Sequence, residues 1–167
     1  MEHILILTNT EKYHYHASIS KLITKLPCFA SYQLSLLDTG SSQNSRDVIP
    51  QISSLSPAII ITLDLAGFQY RTQLGEIYLN MLPAKILNLV WGNKKEYATW
   101  LTKKLSLSMH FFDCSATPCP LADIYPNIAY YNAPGVILTD HGADIDTEQN
   151  QNLLLQIGRC FLSELQT

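Results

Sequence analysis

Apolar runs of strand length alternate with amphipathic helical patterns along the first part of the chain. His3 to Thr8 is such a run, and from Tyr15 to Leu26 apolar residues recur at helical spacing until Pro27 interrupts them. A strand predicted at Tyr32 to Asp38 and a helix predicted at about Arg46 to Leu55 repeat this order. The pattern therefore predicts two successive β-α units.

The middle of the chain carries the strongest strand signals. Ala58 to Asp64 is a run of β-branched and other apolar residues, which is typical of a strand buried on both faces, and a turn signal follows it up to Gly67. Lys85 to Trp91 predicts the next strand, and a short helix is predicted between the two at Leu74 to Leu82.

The remaining predicted elements are a helix beginning near Asn93, strands at Leu107 to Asp113 and Ile128 to Asn132, and a last helix after Thr147. Strands that alternate with helices at this spacing indicate a mostly parallel sheet, because parallel strands need crossover connections. We therefore expect one Rossmann-like, doubly wound α/β domain over residues 1–167, with about five to six strands and helices on both faces.

The composition agrees with a single globular domain. The chain has 167 residues, of which 47% are hydrophobic and 15% charged, and its formal net charge of −3 argues against nucleic acid as a partner. No stretch reaches the roughly 18 apolar residues of a spanning helix, and the start lacks a signal-peptide pattern, so we expect a cytoplasmic protein that is not bound to membranes. Four cysteines at this length favour reduced thiols over a disulfide framework.

Ligands of doubly wound folds bind beyond the carboxyl ends of the strands. The segments expected at that edge of the sheet are Thr8 to His16, Asp64 to Arg71 and Trp91 to Lys95. Within them the candidate ligand-binding residues are Thr8, Thr10, His14, Asp64, Gly67, Tyr70, Arg71 and Asn93.

Two interpretations of the central loop fit its residues equally well. Asp64 ends the buried strand, Gly67 permits a backbone turn that other residues resist, and the Arg71 guanidinium has the shape to hold an anion bidentately. An ion pair of Arg71 with Glu76 or Asp64 that pins the loop explains the same residues. Tyrosines in these segments suit a protein partner or a carbohydrate, because aromatic rings supply contact area at small entropic cost.

The loop after the first strand lacks the three glycines of a dinucleotide fingerprint. Thr8 and Thr10 place hydroxyls in this loop, and in this respect the loop resembles the phosphate-binding loop of flavodoxins. Glu11, however, puts a negative charge where the phosphate would lie. A flavin or nucleotide is therefore the alternative ligand, and we assign no cofactor. His14 and His16 are spaced for different sides of a helix, which favours exposed turn residues over a metal pair.

One group of soft metal ligands stands in the second half of the chain. His110, Cys114 and Cys119 would need a fourth ligand for zinc, from His141 or Cys160. The two-residue spacing of paired cysteines in structural zinc sites is missing, which favours ordinary core thiols. The chain also lacks a Gly-x-Ser-x-Gly elbow, so nothing completes a hydrolase triad. We therefore predict no metal site and assign no catalytic residue.

The run Ile59 to Phe68, followed by Leu82 to Ile86 and a strand, resembles the N-terminal half of GT-B glycosyltransferases. The resemblance implies a half that contacts the acceptor, whereas the sugar nucleotide is held chiefly by a second Rossmann-like half. We expect no second half in this chain. The resemblance then implies either a detached domain that pairs with a separate subunit or a scaffold kept for binding.

The sequence thus predicts a non-catalytic or incomplete glycosyltransferase-like module for binding or assembly, which uses the carboxyl edge of its sheet. The expected partner is another protein, a second copy of the chain, a carbohydrate or another small molecule. The alternative is a small flavodoxin-like enzyme that binds a flavin or nucleotide in the same crevice.

Overall fold

Six strands form one sheet in the computed structural model, which describes residues 2–40, 45–67, 84–92, 109–114, 128–133 and 148–165. The strands are β1 (His3–Thr8), β2 (Gln33–Asp38), β3 (Ile59–Leu63), β4 (Lys85–Gly92), β5 (Met109–Asp113) and β6 (Ile128–Asn132). Their order across the sheet is β2-β1-β3-β4-β5-β6, and every neighbouring pair is parallel. The prediction of a mostly parallel sheet is confirmed, and the sheet is parallel throughout.

Three α-helices accompany the sheet within the described residues: α1 (His16–Thr24), α2 (Ser45–Leu55) and α3 (Glu148–Leu165). Two short 3₁₀ turns follow α1 and β3, at Pro27–Phe29 and Asp64–Gly67. The first of these turns begins at Pro27, whose missing N–H cannot continue a helix but suits the first position of a new turn.

Apolar side chains cover both faces of the sheet, because successive strand residues point to opposite sides. On one face, Val48 and Ile52 of α2 pack in a cluster with the strand residues Leu5, Leu7, Ile60, Val90, Met109 and Phe111. On the other face, α1 and α3 pack in a cluster with the strand residues Ile4, Ile6, Ile61, Leu63, Leu87, Leu89 and Phe112. Helices on both faces confirm the predicted doubly wound arrangement.

The last helix is held by an aromatic contact. The ring of Phe161 in α3 meets that of Phe29 edge to face, with 4.4 Å between ring centroids, and that of Tyr32 at 5.7 Å. Phe161 and Phe29 are both 1% exposed. Edge-to-face pairs add to the free energy of burying the rings, so this contact fixes α3 against the segment that follows α1.

The order of the strands reverses at β1, which pairs with β2 on one side and β3 on the other. The chain passes from β1 to β2 in one direction and then returns across β1 to form β3. In open parallel sheets such a reversal leaves a crevice outside the carboxyl ends of the two strands, where ligands bind. In this chain the reversal lies beyond Thr8 and Leu63, and this position is called the crevice below.

The element bounds differ little from those predicted. The bounds of β1 and β6 agree with the sequence pattern, and β2 and β3 each begin one residue later. Leu36 lies in β2, which is an edge strand of the sheet, and is 52% exposed. The helices predicted at Leu74 to Leu82 and from Asn93 lie outside the described residues, as does Thr147.

A buried polar pair links the two central strands β3 and β4. Thr62 and Asn88 are register partners, and the Thr62 hydroxyl donates a hydrogen bond to Asn88 Oδ1 at 2.7 Å. Thr62 is 2% and Asn88 3% exposed. Polar groups at this depth must be hydrogen-bonded, since water cannot reach them.

We expect Thr62→Val to lower the free energy of unfolding by about 1–3 kcal/mol, because it keeps the shape of the side chain and removes the donor to a buried carbonyl. Chemical denaturation measures the loss. The matched control is Thr24→Val, at an exposed hydroxyl that bonds the Lys21 carbonyl of its own helix, and this change should be nearly neutral. Equal effects of the two substitutions would contradict the importance of the Thr62–Asn88 bond.

Candidate functional site

A buried carboxylate lies at the crevice between β1 and β3. Asp64 follows the last residue of β3 and is 3% exposed. Its Oδ2 accepts a hydrogen bond from the Tyr15 hydroxyl at 2.5 Å and lies 2.9 Å from His16 Nε2. His16 is the first residue of α1 and is fully buried. Residues that are far apart in the sequence therefore meet where the strand order reverses.

The imidazole of His16 is held at both of its nitrogens. While Nε2 faces Asp64, Nδ1 accepts a hydrogen bond from the backbone N–H of Asn9 at 2.9 Å. Asn9 also organises the loop between β1 and α1, because its side-chain oxygen accepts from the Lys12 N–H at 3.0 Å and its carbonyl from the Tyr13 N–H at 2.9 Å. The loop is therefore fixed around the histidine ring.

Two tyrosine rings flank His16. The centroids of Tyr13 and Tyr15 lie 5.0 Å and 5.1 Å from that of the imidazole, and 5.8 Å from each other. The Lys12 ammonium lies over the Tyr13 ring, 5.3 Å from its centroid. Partial burial lowers the pKa of the Lys12 ammonium below its ordinary value of 10.5, and the Asp64 carboxylate opposes that shift.

The backbone that presents Asp64 is left-handed. Asp64, Leu65 and Ala66 have φ of 46°, 56° and 54°, although none of them is glycine. Each such residue costs roughly 1–2 kcal/mol, because its Cβ approaches a carbonyl oxygen. Leu65 and Ala66 are both 1% exposed and belong to the cluster under α2. Burial of these side chains offsets the strain and holds the turn in place.

Thr39 joins the left-handed turn to the two strands beside it. Its backbone N–H donates to the Thr8 carbonyl at 2.8 Å, and its hydroxyl donates to the Ala66 carbonyl at 2.8 Å and lies 3.1 Å from the Thr8 carbonyl. Thr39 is 1% exposed. The carboxyl ends of β1, β2 and β3 are thus tied together by one buried side chain.

Asp38, the last residue of β2, holds the loop between β1 and α1 from the side of β2. Its carboxylate accepts hydrogen bonds from the Thr10 hydroxyl, from the Thr10 N–H at 3.1 Å and from the Gly40 N–H at 3.1 Å. Partial burial opposes ionisation, but these hydrogen bonds, together with a smaller electrostatic effect of His16, outweigh it and lower the pKa of Asp38 below its ordinary value of 3.8.

Gly40 allows the loop after β2 to lie against the loop after β1, because there is no room for a side chain between them. A Cβ at position 40 would lie 2.9 Å from the Glu11 Cβ and 3.2 Å from the Asn9 Oδ1. Any larger residue would push the loop after β2 away from the loop after β1. The close approach of the two loops therefore depends on this glycine.

A second carboxylate at the same edge has a different setting. Asp113 ends β5, is 6% exposed, and accepts a hydrogen bond from the Tyr130 hydroxyl of β6 at 2.5 Å. It lies on the side of β4 away from the crevice. Asp113 therefore resembles Asp64 in its chemistry but does not lie at the reversal of the strand order.

The predicted ligand-binding residues lie in different surroundings, and some of them are not described by the structure. Thr8 is buried, Thr10 bonds Asp38, His14 is exposed in the turn before α1, and Asp64 and Gly67 belong to the turn after β3. Tyr70, Arg71 and Asn93 lie outside the described residues. Left-handed backbone, which the sequence suggested at Gly67, occurs at the three residues before it.

Sequence reasoning misjudged some residues of this site. The interpretation of His16 as an exposed turn residue is wrong, because its ring is fully buried against Asp64. Asp38, Thr39 and Gly40 did not enter the prediction at all. The ends of predicted parallel strands would have pointed to Asp38, but no local pattern marks its bond to Thr10.

The potential zinc ligands are only partly described. The His110 Nδ1 lies 2.9 Å from the Tyr131 hydroxyl, and the two rings stack. Cys114 and Cys160 are not joined in a disulfide within the described part of the chain, while Cys119 and His141 lie outside it. Across the ranges that the structure covers, no group of three or more potential ligands is arranged to hold a metal ion.

Comparisons with protein-family models, with curated proteins and with solved structures gave no match. The resemblance to GT-B glycosyltransferases therefore stays a prediction. None of the helices described is long and apolar enough to cross a membrane.

We expect Ala66→Gly to keep or raise the free energy of unfolding, by up to about 1 kcal/mol, since glycine adopts φ of 54° without strain. Ala133→Gly is the matched control, because Ala133 is also buried, at 5% exposure, and does not have a positive φ. It should cost about 1 kcal/mol through added backbone freedom and the lost methyl group. Urea denaturation of both variants checks the difference, and equal losses would argue against strain at Ala66.

Asp38→Asn should make the free energy of unfolding depend less on pH in the acidic range. Because the pKa of Asp38 is lower in the folded protein, its carboxylate stabilises the fold above its ordinary value of 3.8, and this contribution is lost as the pH falls through the lower folded value. Denaturation at a series of acidic pH values should show the wild type losing more stability than the variant. Parallel profiles would mean that the bonds from Thr10 and Gly40 do not favour the ionised form.

Proposed function

We propose that this chain is a binding module of the glycosyltransferase-like type, without a complete catalytic site, and that its ligand occupies the crevice between the carboxyl ends of β1 and β3. The ligand class is a carbohydrate or another small hydroxylated molecule. The observation that carries the proposal is the buried network of Asp64, His16 and Tyr15 at the reversal of the strand order.

This network is not explained by stability alone. A buried carboxylate and imidazole lose their hydration, and apolar residues of similar volume often serve a core equally well or better. The left-handed turn at Asp64 to Ala66 adds backbone strain at the same place. Strain and buried polar groups cluster where a site is held in a fixed geometry, which supports a binding role for this edge.

The surface that a ligand would touch is formed by the loop above this network. Tyr13 and Tyr15 are half-buried, whereas Lys12 and His14 are exposed. Asp64, at 3% exposure, lies beneath them and acts in this proposal by holding Tyr15 and His16 in position. Half-buried aromatic rings beside polar groups suit the faces and hydroxyls of a sugar.

A flavin or nucleotide is the second candidate, and the strand order favours it. Flavodoxin-like sheets share the order 2-1-3-4-5 and bind FMN at the same reversal between β1 and β3. Against it, the Thr10 hydroxyl and N–H, which a phosphate loop would offer to its anion, both donate to Asp38. The loop from Asn9 to Tyr15 also contains no glycine.

The GT-B resemblance adds a partner to the proposal. A domain of this type would act with a separate subunit that holds the sugar nucleotide, or as a homo-oligomer. Native mass spectrometry of the protein from its own cells tests this part directly, because a co-purifying polypeptide would identify the complex.

The crevice itself is tested by pairing Asp64→Asn with Asp113→Asn. Both changes neutralise a buried carboxylate that accepts from a tyrosine hydroxyl, but only Asp64 lies at the crevice. Amide chemical shifts are followed while neutral mono- and disaccharides and, separately, FMN are added. We expect saccharides to shift the amides of Asn9, Tyr15 and Ala66, and Asp64→Asn to weaken binding by about tenfold, roughly one hydrogen bond.

The Asp113→Asn variant should bind as the wild type does. Shifts confined to another part of the chain, or equal losses in both variants, would contradict the crevice as the site. Tight binding of FMN with flavin colour in the purified protein would replace the carbohydrate proposal with the flavodoxin-like one.

A further inference from the structure

Three hydrogen-bond donors from two loops converge on the Asp38 carboxylate. The N–H groups of Thr10 and Gly40 both donate to its Oδ1 at 3.1 Å, and the Thr10 hydroxyl donates to its Oδ2. Thr10 belongs to the loop after β1 and Gly40 to the loop after β2. Backbone N–H groups that are aimed at one point attract anions. The carboxylate of Asp38 thus occupies the place where a bound oxyanion would lie.

The bonds to Asp38 lie at the surface of the protein. Asp38 itself is exposed, and so are its three hydrogen bonds. Although partial burial raises the pKa of Asp38, the three bonds and a smaller electrostatic effect of His16 lower it below 3.8, so the donors favour negative charge. An anion from solution can therefore reach these donors once the carboxylate is absent.

The shape of the loop after β1 does not depend on Asp38 alone. Asn9 holds this loop from within, because its Oδ1 accepts from the Lys12 N–H at 3.0 Å and its carbonyl from the Tyr13 N–H at 2.9 Å. The loop after β2 lies close beside it, since a Cβ at Gly40 would be 3.2 Å from the Asn9 Oδ1. We therefore expect the donors to keep their places when the carboxylate is removed.

We propose that Thr10 and Gly40 form an anion-binding cradle that the chain fills with its own Asp38 carboxylate, and that Asp38 thereby excludes phosphate-bearing ligands from this edge of the sheet. The cradle joins the ends of β1 and β2, whereas the crevice lies between β1 and β3. The proposal goes beyond the proposed function, because the cradle exists whether or not the crevice binds a carbohydrate.

Asp38 determines specificity in two ways under this proposal. Its negative charge repels an incoming phosphate. Its oxygens also use the donors that a phosphate would need, since each N–H and the hydroxyl carry a single hydrogen. A neutral ligand meets neither obstacle.

The first test removes the carboxylate and offers it back as a free anion. Asp38→Ala keeps the Cβ and loses the carboxylate, which formate replaces atom for atom. Amide chemical shifts are followed while formate and, separately, inorganic phosphate are added at constant ionic strength, so that screening stays the same. We expect both anions to shift the Thr10 and Gly40 amides of this variant and to bind at least about tenfold more tightly than to the wild type.

Two control variants separate occupation of the cradle from the charge around it. Asp38→Asn removes the charge but leaves a side chain of the same shape in the cradle. Glu11→Ala removes an exposed carboxylate of the same loop while Asp38 stays in place. Neither change should tighten the binding of formate or phosphate by more than about threefold. Binding by either control as tight as by Asp38→Ala would overturn the proposal, because charge alone would then govern anion binding.

The second test uses the unchanged protein and decides the matter if Asp38→Ala does not fold. As the pH falls, the Thr10 and Gly40 amide shifts should change together with that of the Asp38 carboxyl carbon, at a common midpoint below 3.8. Amides that do not follow the ionisation of Asp38 would overturn the proposal, as would a folded Asp38→Ala variant that fails to bind either anion. An absence of saccharide binding at the crevice would contradict the proposed function and leave both of these tests unaffected.

Discussion

The hydrogen bonds that converge on Asp64 are the constraint on which the carboxyl edge of this sheet depends. A buried carboxylate requires donors, and this one obtains them from Tyr15 and His16 at the start of α1. His16 in turn requires a donor at its other nitrogen, and the Asn9 N–H supplies it. The path of the loop after β1 and the start of α1 thus follow from the need to satisfy one group at the end of β3.

The parallel sheet supplies the place for this network, and the loops supply its rigidity. Thr39 ties the ends of three strands together, and Gly40 lets the two neighbouring loops touch. Neither residue contacts Asp64 in the bonds named above, yet both restrict the backbone around it. Under the proposed function, a ligand would meet loops that are already held in place, which reduces the entropy lost on binding.

Periodicity was enough to predict the fold, and it was not enough for the site. Ile59 to Leu63 and the alternating elements around them predicted a doubly wound sheet, because burial on both faces leaves a continuous apolar run. The burial of His16 depends on an aspartate 48 positions away, which no local pattern reveals. The left-handed turn falls on Leu65 and Ala66, residues that propensity would place elsewhere, and such local conflicts are where functional geometry overrides sequence rules.

The position of α3 in the chain has a consequence for biosynthesis. The strands β1, β2 and β3 and the network around Asp64 precede α3 in the chain, so they emerge from the ribosome long before α3 is made. Until then, Phe29 and the sheet residues Ile4 and Ile6 lack the cover that Ile157 and Phe161 later provide. Nascent chains in this state expose an apolar face beside open strand edges, a combination that favours aggregation and recruits chaperones. The helix that is most distant from the site in sequence is therefore the one that ends the vulnerable period of the growing chain.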